Sequence, residues 1–157
     1  MTSVKMVDLK QRKLTLVNQL SEKIKQPLLL TKGHEIDLKS AVAIVVCKNH
    51  ILLGLSKADD ERDGKWCFPG GGIDKGEDTM SAAIREAYEE MGVSALPVSQ
   101  VLIIHPAKPM VGFVFLHCSD LCEIEHNEEF LECKWFPIKE LPEEMLSINK
   151  DILKLLI

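Results

Sequence analysis

The sequence predicts an α/β domain in which helices pack against a β-sheet. From residue 40 onward, short apolar runs rich in β-branched residues alternate with polar turns, as buried strands do. One amphipathic helix interrupts these runs near residue 80, and a second helical segment closes the chain. Strands, a helix, further strands and a closing helix in this order are typical of an α/β/α sandwich.

The predicted strands follow one another from residue 40 to residue 138. Residues 40–56 form a predicted hairpin, because the polar residues Lys48 and Asn49 separate two apolar runs. Further strands are predicted at residues 66–68, 97–105, 110–118 and 133–138, and a terminal helix is predicted at residues 145–157. Two aromatic residues of the strand before the last, Phe113 and Phe115, are expected in the core rather than stacked on a nucleobase.

Residues 1–35 are predicted to be an N-terminal helical extension, and residues 36–157 to be the main domain. Apolar residues recur at helical spacing over residues 1–25, and Pro27 ends that pattern. Residues 31–35 are then expected to form a linker. The extension is expected to pack against the sheet; a role in forming a homodimer and a role as a substrate lid are its alternatives.

The helix near residue 80 has clear signals at both ends. Asp78 or Thr79 can cap its first turn, and Gly92 can adopt the left-handed conformation that ends many helices. At about 100° per residue, an apolar stripe is expected along one side of the helix. The members of this stripe are Met80, Ile84, Ala87, Tyr88 and Met91.

Three glutamates of the same helix, Glu86, Glu89 and Glu90, are predicted to gather on roughly the opposite side. Like charges at this spacing repel by roughly a few tenths of a kcal/mol each, so a surface helix gains nothing from them. Mg²⁺ or Mn²⁺ prefers carboxylate oxygen and keeps coordination sites open for water and phosphate oxygens. The helix therefore predicts a divalent metal site, with a solvated acidic face as the alternative from the helix alone.

The residues around the helix form a motif of fixed spacing. Gly71 is followed after five residues by Glu77, and seven residues later the run REAYEEMGV begins at Arg85. This pattern resembles the signature of the Nudix hydrolase superfamily (MutT-like) over its whole span, with Ala87 in place of a bulkier aliphatic residue. The lead-in WCFPGG, which begins at Trp66, is similar to that of the same family.

The resemblance implies a Nudix α/β/α sandwich with a mixed β-sheet and a central catalytic loop-helix-loop. It also implies divalent-metal-dependent hydrolysis of the diphosphate linkage in a nucleoside diphosphate linked to another moiety. The metal, Mg²⁺ or Mn²⁺, is expected on Glu86, Glu89 and Glu90. One of these glutamates, or Glu128 or Glu129, is expected to be the base that takes a proton from the attacking water. A catalytically silent nucleotide-binding or sensor module of the same fold is the alternative.

Further roles near the metal follow from the same resemblance. Glu77 and Arg85 carry opposite charges and are expected to pair where the loop joins the helix, which would orient the glutamates. Gly71 and Gly72 are expected in a tight glycine-rich turn that offers backbone groups to metal or phosphate.

Composition and charge exclude several classes of protein. Of the 157 residues, 46% are hydrophobic and 27% are charged, which fits a globular domain with a sizeable core. A net charge of -5 makes a nucleic-acid partner unlikely on this argument. The sequence has no signal-peptide core and no run able to span a membrane, so a cytoplasmic protein without a membrane partner is expected.

The five cysteines are expected to be reduced thiols, and only Cys118 and Cys122 have a spacing that fits half of a zinc site.

The expected partner is a small-molecule nucleotide, whose identity the sequence leaves open. Nucleoside triphosphates, ADP-sugars and dinucleoside polyphosphates rank level as substrates. An RNA 5′-end hydrolase is a further alternative that the acidic composition does not favour. In the polar loop at residues 57–65, Lys57, Arg62 and Lys65 could each meet a phosphate or remain solvated.

Overall fold

The structure is a computed structural model that describes residues 29–32, 38–58, 62–105 and 107–154. The predicted helix at residues 1–25 lies outside these residues, as does the end of the predicted terminal helix. The described strands are β1 (Leu29–Lys32), β2 (Ser40–Cys47), β3 (His50–Ser56), β4 (Trp66–Cys67), β5 (Gly70–Gly72), β6 (Leu96–Ile104), β7 (Val111–His117) and β8 (Phe130–Pro137), and the helices are α1 (Thr79–Met91) and α2 (Ser147–Leu153).

The strands form one mixed sheet with the order β1-β6-β7-β2-β3-β4. Two strands lie off this path, since β5 pairs with β2 and β8 pairs with β3. The pairing of β2 with β7 is parallel, whereas the other pairings between these strands are antiparallel. The predicted mixed sheet is therefore confirmed.

Strand β2 lies between two separate cores because its side chains alternate between the faces of the sheet. Ala43 and Val45 pack in the core that also contains residues of α1. Ile44 packs in the other core, which contains Ile152 and Leu153 of α2. One helix thus covers each face of the sheet, which confirms the α/β/α sandwich.

The predicted hairpin is present as β2 and β3, which pair through Val46 and Ile51. The connecting residues Lys48 and Asn49 have φ values of 46° and 63°, respectively. Positive φ at both central residues belongs to the two-residue turn that matches strand twist. Other predicted strands are confirmed with ends shifted by up to three residues.

Two predictions about local backbone are wrong. Thr31 and Lys32 were expected in a linker but belong to β1, which pairs with β6 and covers the edge that β6 would otherwise expose. The expected glycine-rich turn is instead strand β5, which pairs Gly71 with Ala41 of β2. Glycine is needed at Gly70 and Gly71 because other atoms approach their backbone closely, and not because the chain turns there.

Helix α1 begins and ends where its capping residues predict. The Asp78 side chain accepts a hydrogen bond from the Ser81 amide at 2.7 Å, and Gly92 has φ 67°. The predicted apolar stripe is wrong at Tyr88, which is 61% exposed. Glu90 occupies the buried face instead, because it lies three residues after buried Ala87 and therefore on the same side of the helix.

Phe113 and Phe115 are 2% and 3% exposed, so the predicted core positions are confirmed. Both residues pack in the core shared with α2. That core forms one boundary of the cleft described next.

Candidate active site

Glu90 of α1 is a buried carboxyl, and only one of its two oxygens accepts a hydrogen bond from the described residues. Its residue exposure is 1%, which corrects the expectation that all three helix glutamates lie on an exposed face. The Oε1 atom accepts a hydrogen bond from the Gly70 amide at 3.1 Å. The Oε2 atom is buried and has no hydrogen-bond partner among the described residues. A buried oxygen without a partner is costly and calls for a functional explanation.

Glu86 lies beside this carboxyl, one turn earlier on the helix. Burial, the contact with Glu86 and the negative charges of Glu129 and Glu86 together raise the pKa of Glu90 to about 9. The hydrogen bond from Gly70 acts in the opposite direction. Glu90 therefore favours its protonated form when no cation offsets the charges around it.

Gly71 explains how the Glu86 carboxylate fits against the sheet. A Cβ atom at Gly71 would lie 2.7 Å from Cδ and Oε1 of Glu86 and 2.8 Å from Oε2. A side chain at this position would displace the Glu86 carboxylate, so glycine allows the carboxylate to rest on the backbone of β5. The neighbouring Gly72 uses its carbonyl oxygen to accept a hydrogen bond from Arg85 Nη2 at 2.9 Å.

Arg85 connects the loop, the strand and the helix. Its Nε and Nη2 atoms donate to the two oxygens of Glu77, each at 2.9 Å, so the predicted ion pair is present and bidentate. Its Nη1 atom donates to Glu86 at 3.0 Å and to Glu89 at 3.1 Å. A planar guanidinium is suited to such a fixed fork of donors. These contacts hold the Glu86 carboxylate in one orientation.

The electrostatics of this network follow from the same contacts. The hydrogen bond from Arg85 lowers the pKa of Glu77, and the pKa of Arg85 is raised well above its ordinary value, mainly by Glu77. Both shifts favour the charged forms of the two groups. The ion pair of Glu77 with Arg85 connects the loop to the helix. The carboxyl pair of Glu86 and Glu90 could still bind a further positive charge.

The acidic loop before β8 is attached to the end of α1. The Asn127 amide donates to the Glu90 carbonyl oxygen at 2.8 Å, and the Asn127 side chain accepts a hydrogen bond from the Glu129 amide at 2.9 Å. Glu129 is thereby placed on the rim of the cleft that Glu86 also lines. Glu128 lies farther out, in an adjoining shallow depression that also contains Lys57 and Arg62.

A cleft of about 470 Å³ extends from these carboxylates to α2. Its carboxylate end contains Gly71, Glu86 and Glu129. Its far end is lined by Phe113, by Lys108 of the turn between β6 and β7, and by residues of α2. A half-apolar cleft with charged groups at one end fits a ligand that has a flat apolar part and a charged part.

The carboxylate oxygens at the carboxylate end of the cleft fit a hard divalent cation. Glu86 and Glu90 supply paired carboxylate oxygens, one of which is buried and without a partner. Glu89 is bound to Arg85 and its side chain is 53% exposed, so it lies at the edge of this pair. Among the described residues, no three acidic, histidine or cysteine side chains converge closely enough to enclose a metal ion. Glu86 and Glu90 would hold the ion, and Glu89 would have to exchange its contact with Arg85 to join them.

Comparison with known proteins agrees with this geometry. A family model described as NUDIX domain matches residues 37–156. The chain belongs to the Nudix family. Two RNA pyrophosphohydrolases, from Brucella anthropi and Bartonella quintana, are 34% and 30% identical over 59% and 64% of this chain, which correspond to 70% and 73% of their own lengths. A Nudix hydrolase structure from Nitrosomonas europaea has a TM-score of 0.62 and 23% identity, covering 77% of this chain and 70% of that one.

As a Nudix hydrolase, the protein acts on pyrophosphate linkages. Within the described residues, neither helix has the length and apolar character needed to cross a membrane.

Several contributors to this Nudix site were not predicted from the sequence. They are Gly70, which donates to Glu90, Asn127, which attaches the acidic loop, and Lys108 and Asn149, which line the far end of the cleft. The only sequence signal for Gly70 was the lead-in to the motif, and the other three residues lie in segments that the motif does not reach.

Proposed function

We propose that this chain is a pyrophosphohydrolase of small nucleotides that uses Mg²⁺ or Mn²⁺ held by Glu86 and Glu90, with Glu89 completing the set. The observation that carries the proposal is the buried carboxyl pair, in which Glu90 Oε2 has no partner among the described residues. A buried carboxyl pair whose negative charge is not fully offset is costly if its role is only structural. At the end of an open cleft, such a pair is suited to binding a divalent ion.

The chain's own residues would orient the reacting groups. Arg85 and Glu77 fix the loop against α1, so that the Glu86 carboxylate stays against Gly71. Glu129 is the proposed base, because its carboxylate lies on the cleft rim, where it can accept a proton from the attacking water. When bound, the ion supplies positive charge that offsets the charge of the diphosphate and makes water more acidic.

The half-apolar far end of the cleft supports a nucleotide substrate. Val111 and the edge of the core at Phe113 give this end its apolar lining, and Lys108 is a cation at the same end. A nucleoside diphosphate carries both an aromatic base and anionic phosphates, so it matches this distribution of groups. Nucleoside triphosphates, ADP-sugars and dinucleoside polyphosphates share these features.

RNA with a 5′-triphosphate is a second candidate substrate. It is favoured by one observation, namely that two relatives with 30% and 34% identity are named RNA pyrophosphohydrolases. Lys57 and Arg62 line the shallow depression beside Glu129, where they would meet phosphates beyond the cleft. The net charge of -5 would limit such binding to this local region.

The test is a turnover screen with Mg²⁺ or Mn²⁺ across nucleoside triphosphates, ADP-ribose, dinucleoside polyphosphates and 5′-triphosphorylated RNA. Glu90→Gln should remove turnover, and chelation should stop the wild-type reaction. Glu132→Gln is the matched control, because that carboxylate is half-exposed on β8 and pairs with Lys134 instead of lining the cleft. Full turnover by a folded Glu90→Gln protein would refute the site.

Absence of turnover across the whole panel, together with thermal stabilisation by nucleotides, would favour the sensor module. The RNA candidate is separated from the nucleotide candidates by the ratio of kcat/KM values on 5′-triphosphorylated RNA and on the free triphosphates.

A further inference from the structure

His105 is a buried histidine whose two ring nitrogens both have assigned partners. Its exposure is 6%, and it follows the last residue of β6. The Ala107 amide donates to Nδ1 at 3.0 Å, so Nδ1 carries no proton. The proton therefore lies on Nε2, which donates to Asp151 Oδ2 of α2 at 3.0 Å. The ring links the turn after β6 to the C-terminal half of α2.

The turn held by His105 carries a cation into the cleft. The Lys108 amide donates to the His105 carbonyl oxygen at 2.9 Å, and the Val111 amide donates to the Lys108 carbonyl oxygen at 3.2 Å. Lys108 and Val111 both line the cleft. His105 thus contacts this wall of the cleft through its ring and through its backbone.

Helix α2 and the residue before it are also hydrogen-bonded to residues 66–68. Asn149 Oδ1 accepts a hydrogen bond from the Phe68 amide at 2.9 Å, and both residues line the cleft. The Leu146 amide donates to the Trp66 carbonyl oxygen at 2.9 Å. Phe68 lies two residues before Gly70, the donor to Glu90. The helix therefore connects the segment that precedes β5 to the turn that carries Lys108.

We propose that His105 is a positioning residue that, through Asp151, sets the spacing between the carboxylate end of the cleft and Lys108. The inference rests on the proposed function, since it assumes that the cleft binds the nucleotide. His105 itself touches neither the carboxylates nor the cleft surface that the substrate would meet. Its loss should therefore weaken substrate binding and leave the chemical step intact.

Two substitutions separate the two contacts of the ring. Asn at position 105 places an amide oxygen near the position of Nδ1, which keeps the turn but loses the bond to Asp151. Gln places an amide nitrogen near the position of Nε2, which keeps that bond but loses the acceptor for Ala107. We expect His105→Asn to raise KM about tenfold, the effect of losing one charged hydrogen bond between Lys108 and a substrate phosphate, with kcat changed less than about twofold.

His105→Gln should restore most of the wild-type KM. Asp151→Ala should match His105→Asn, and combining the two should add no further increase, because both remove the same bond. Affinity for ADP, measured by calorimetry in the presence of EDTA, should fall in parallel with the rise in KM.

Two controls on the same helix test for a merely structural role. Lys154→Ala removes an exposed partner of Asp151 and should leave KM unchanged. Ile152→Val lowers stability through the core without touching the link. If Ile152→Val raises KM as much as His105→Asn does, or if folded His105→Asn keeps the wild-type KM, the proposal is overturned. If His105→Asn does not fold, the more exposed Asp151→Ala decides the question alone.

Failure of the proposed function gives a different result. A wild-type protein that binds ADP but turns over nothing would refute the hydrolase proposal, and the ADP affinities of the variants would still decide the role of His105. A wild-type protein that neither turns over nor binds ADP would overturn both proposals, because the cleft would then not be a nucleotide site.

Discussion

Replacing Glu90 by Gln should stabilise the metal-free protein at mildly alkaline pH while it removes turnover. An exposed carboxylate would leave stability unchanged, but Glu90 is 1% exposed and has an oxygen without a partner among the described residues. Its burial and its contact with Glu86 disfavour the charged form. Gln has nearly the same shape and no charge to bury.

The size of the effect follows from the pKa of Glu90, which the fold raises from the ordinary 4.5 to about 9. Between these values the folded state keeps a proton that the unfolded state releases, so the free energy of unfolding falls as pH rises. The stabilising proton is fully bound below the unfolded pKa and is lost above the folded one. Each pH unit in this window costs about 1.4 kcal/mol, so the titration of Glu90 should lower the free energy of unfolding by about 4 kcal/mol between about pH 5 and about pH 8.

The assay is urea unfolding of the wild-type protein, Glu90→Gln and Glu132→Gln in the presence of EDTA at both pH values. The difference between wild type and Glu90→Gln should grow from near zero at the lower pH to about 4 kcal/mol at the higher pH in favour of the mutant. Glu132→Gln should follow the wild type. Added Mg²⁺ should restore stability to the wild type at the higher pH and have little effect on Glu90→Gln.

A pH dependence of stability that is identical in wild type and Glu90→Gln would refute this reasoning. So would a mutant less stable than the wild type at the higher pH, because it would mean that the Glu90 charge is compensated within the protein.

Three further predictions concern the same site and its support. Gly71→Ala should lower kcat/KM about 100-fold by displacing the Glu86 carboxylate, which lies 2.7 Å from the added Cβ, and steady-state kinetics with a thermal melt should show lost activity in a folded protein. Arg85→Lys should lower kcat about tenfold, because lysine cannot make the bidentate contact with Glu77, and an unchanged kcat would contradict that role. Gly54→Ala should destabilise the protein by about 1 to 3 kcal/mol in chemical unfolding, because its Cβ would lie 2.5 Å from the aromatic ring that begins β8.

Local signals in the sequence were sufficient for the features that depend on neighbouring residues. The ends of α1 follow from Asp78 and Gly92, whose side chain and backbone act within one turn. The hairpin of β2 and β3 follows from two apolar runs and a two-residue polar turn. The ion pair of Glu77 with Arg85 was predictable because the motif fixes their spacing.

Features that depend on distant residues were not predictable in the same way. Burial of Glu90 depends on β5 and on the acidic loop, which approach α1 from either side of it in the sequence. Tyr88 was placed in the apolar stripe because of its residue type, although buried Ala87 and Met91 already define the helix face toward the sheet. The pairing of β1 with β6 joins segments about seventy residues apart, and no pattern among neighbouring residues predicts it.

The parallel pairing of β2 with β7 has a consequence for the kinetics of folding. Every element of the carboxylate site on β5 and α1 lies in the connection between these two strands. Strands β2 and β7 can pair in register only after the long connection between them has been closed. Closing it costs conformational entropy and is therefore slow. A divalent ion that needs the assembled carboxylates would then bind after the rate-limiting step. Such an ion should slow unfolding while leaving the folding rate unchanged.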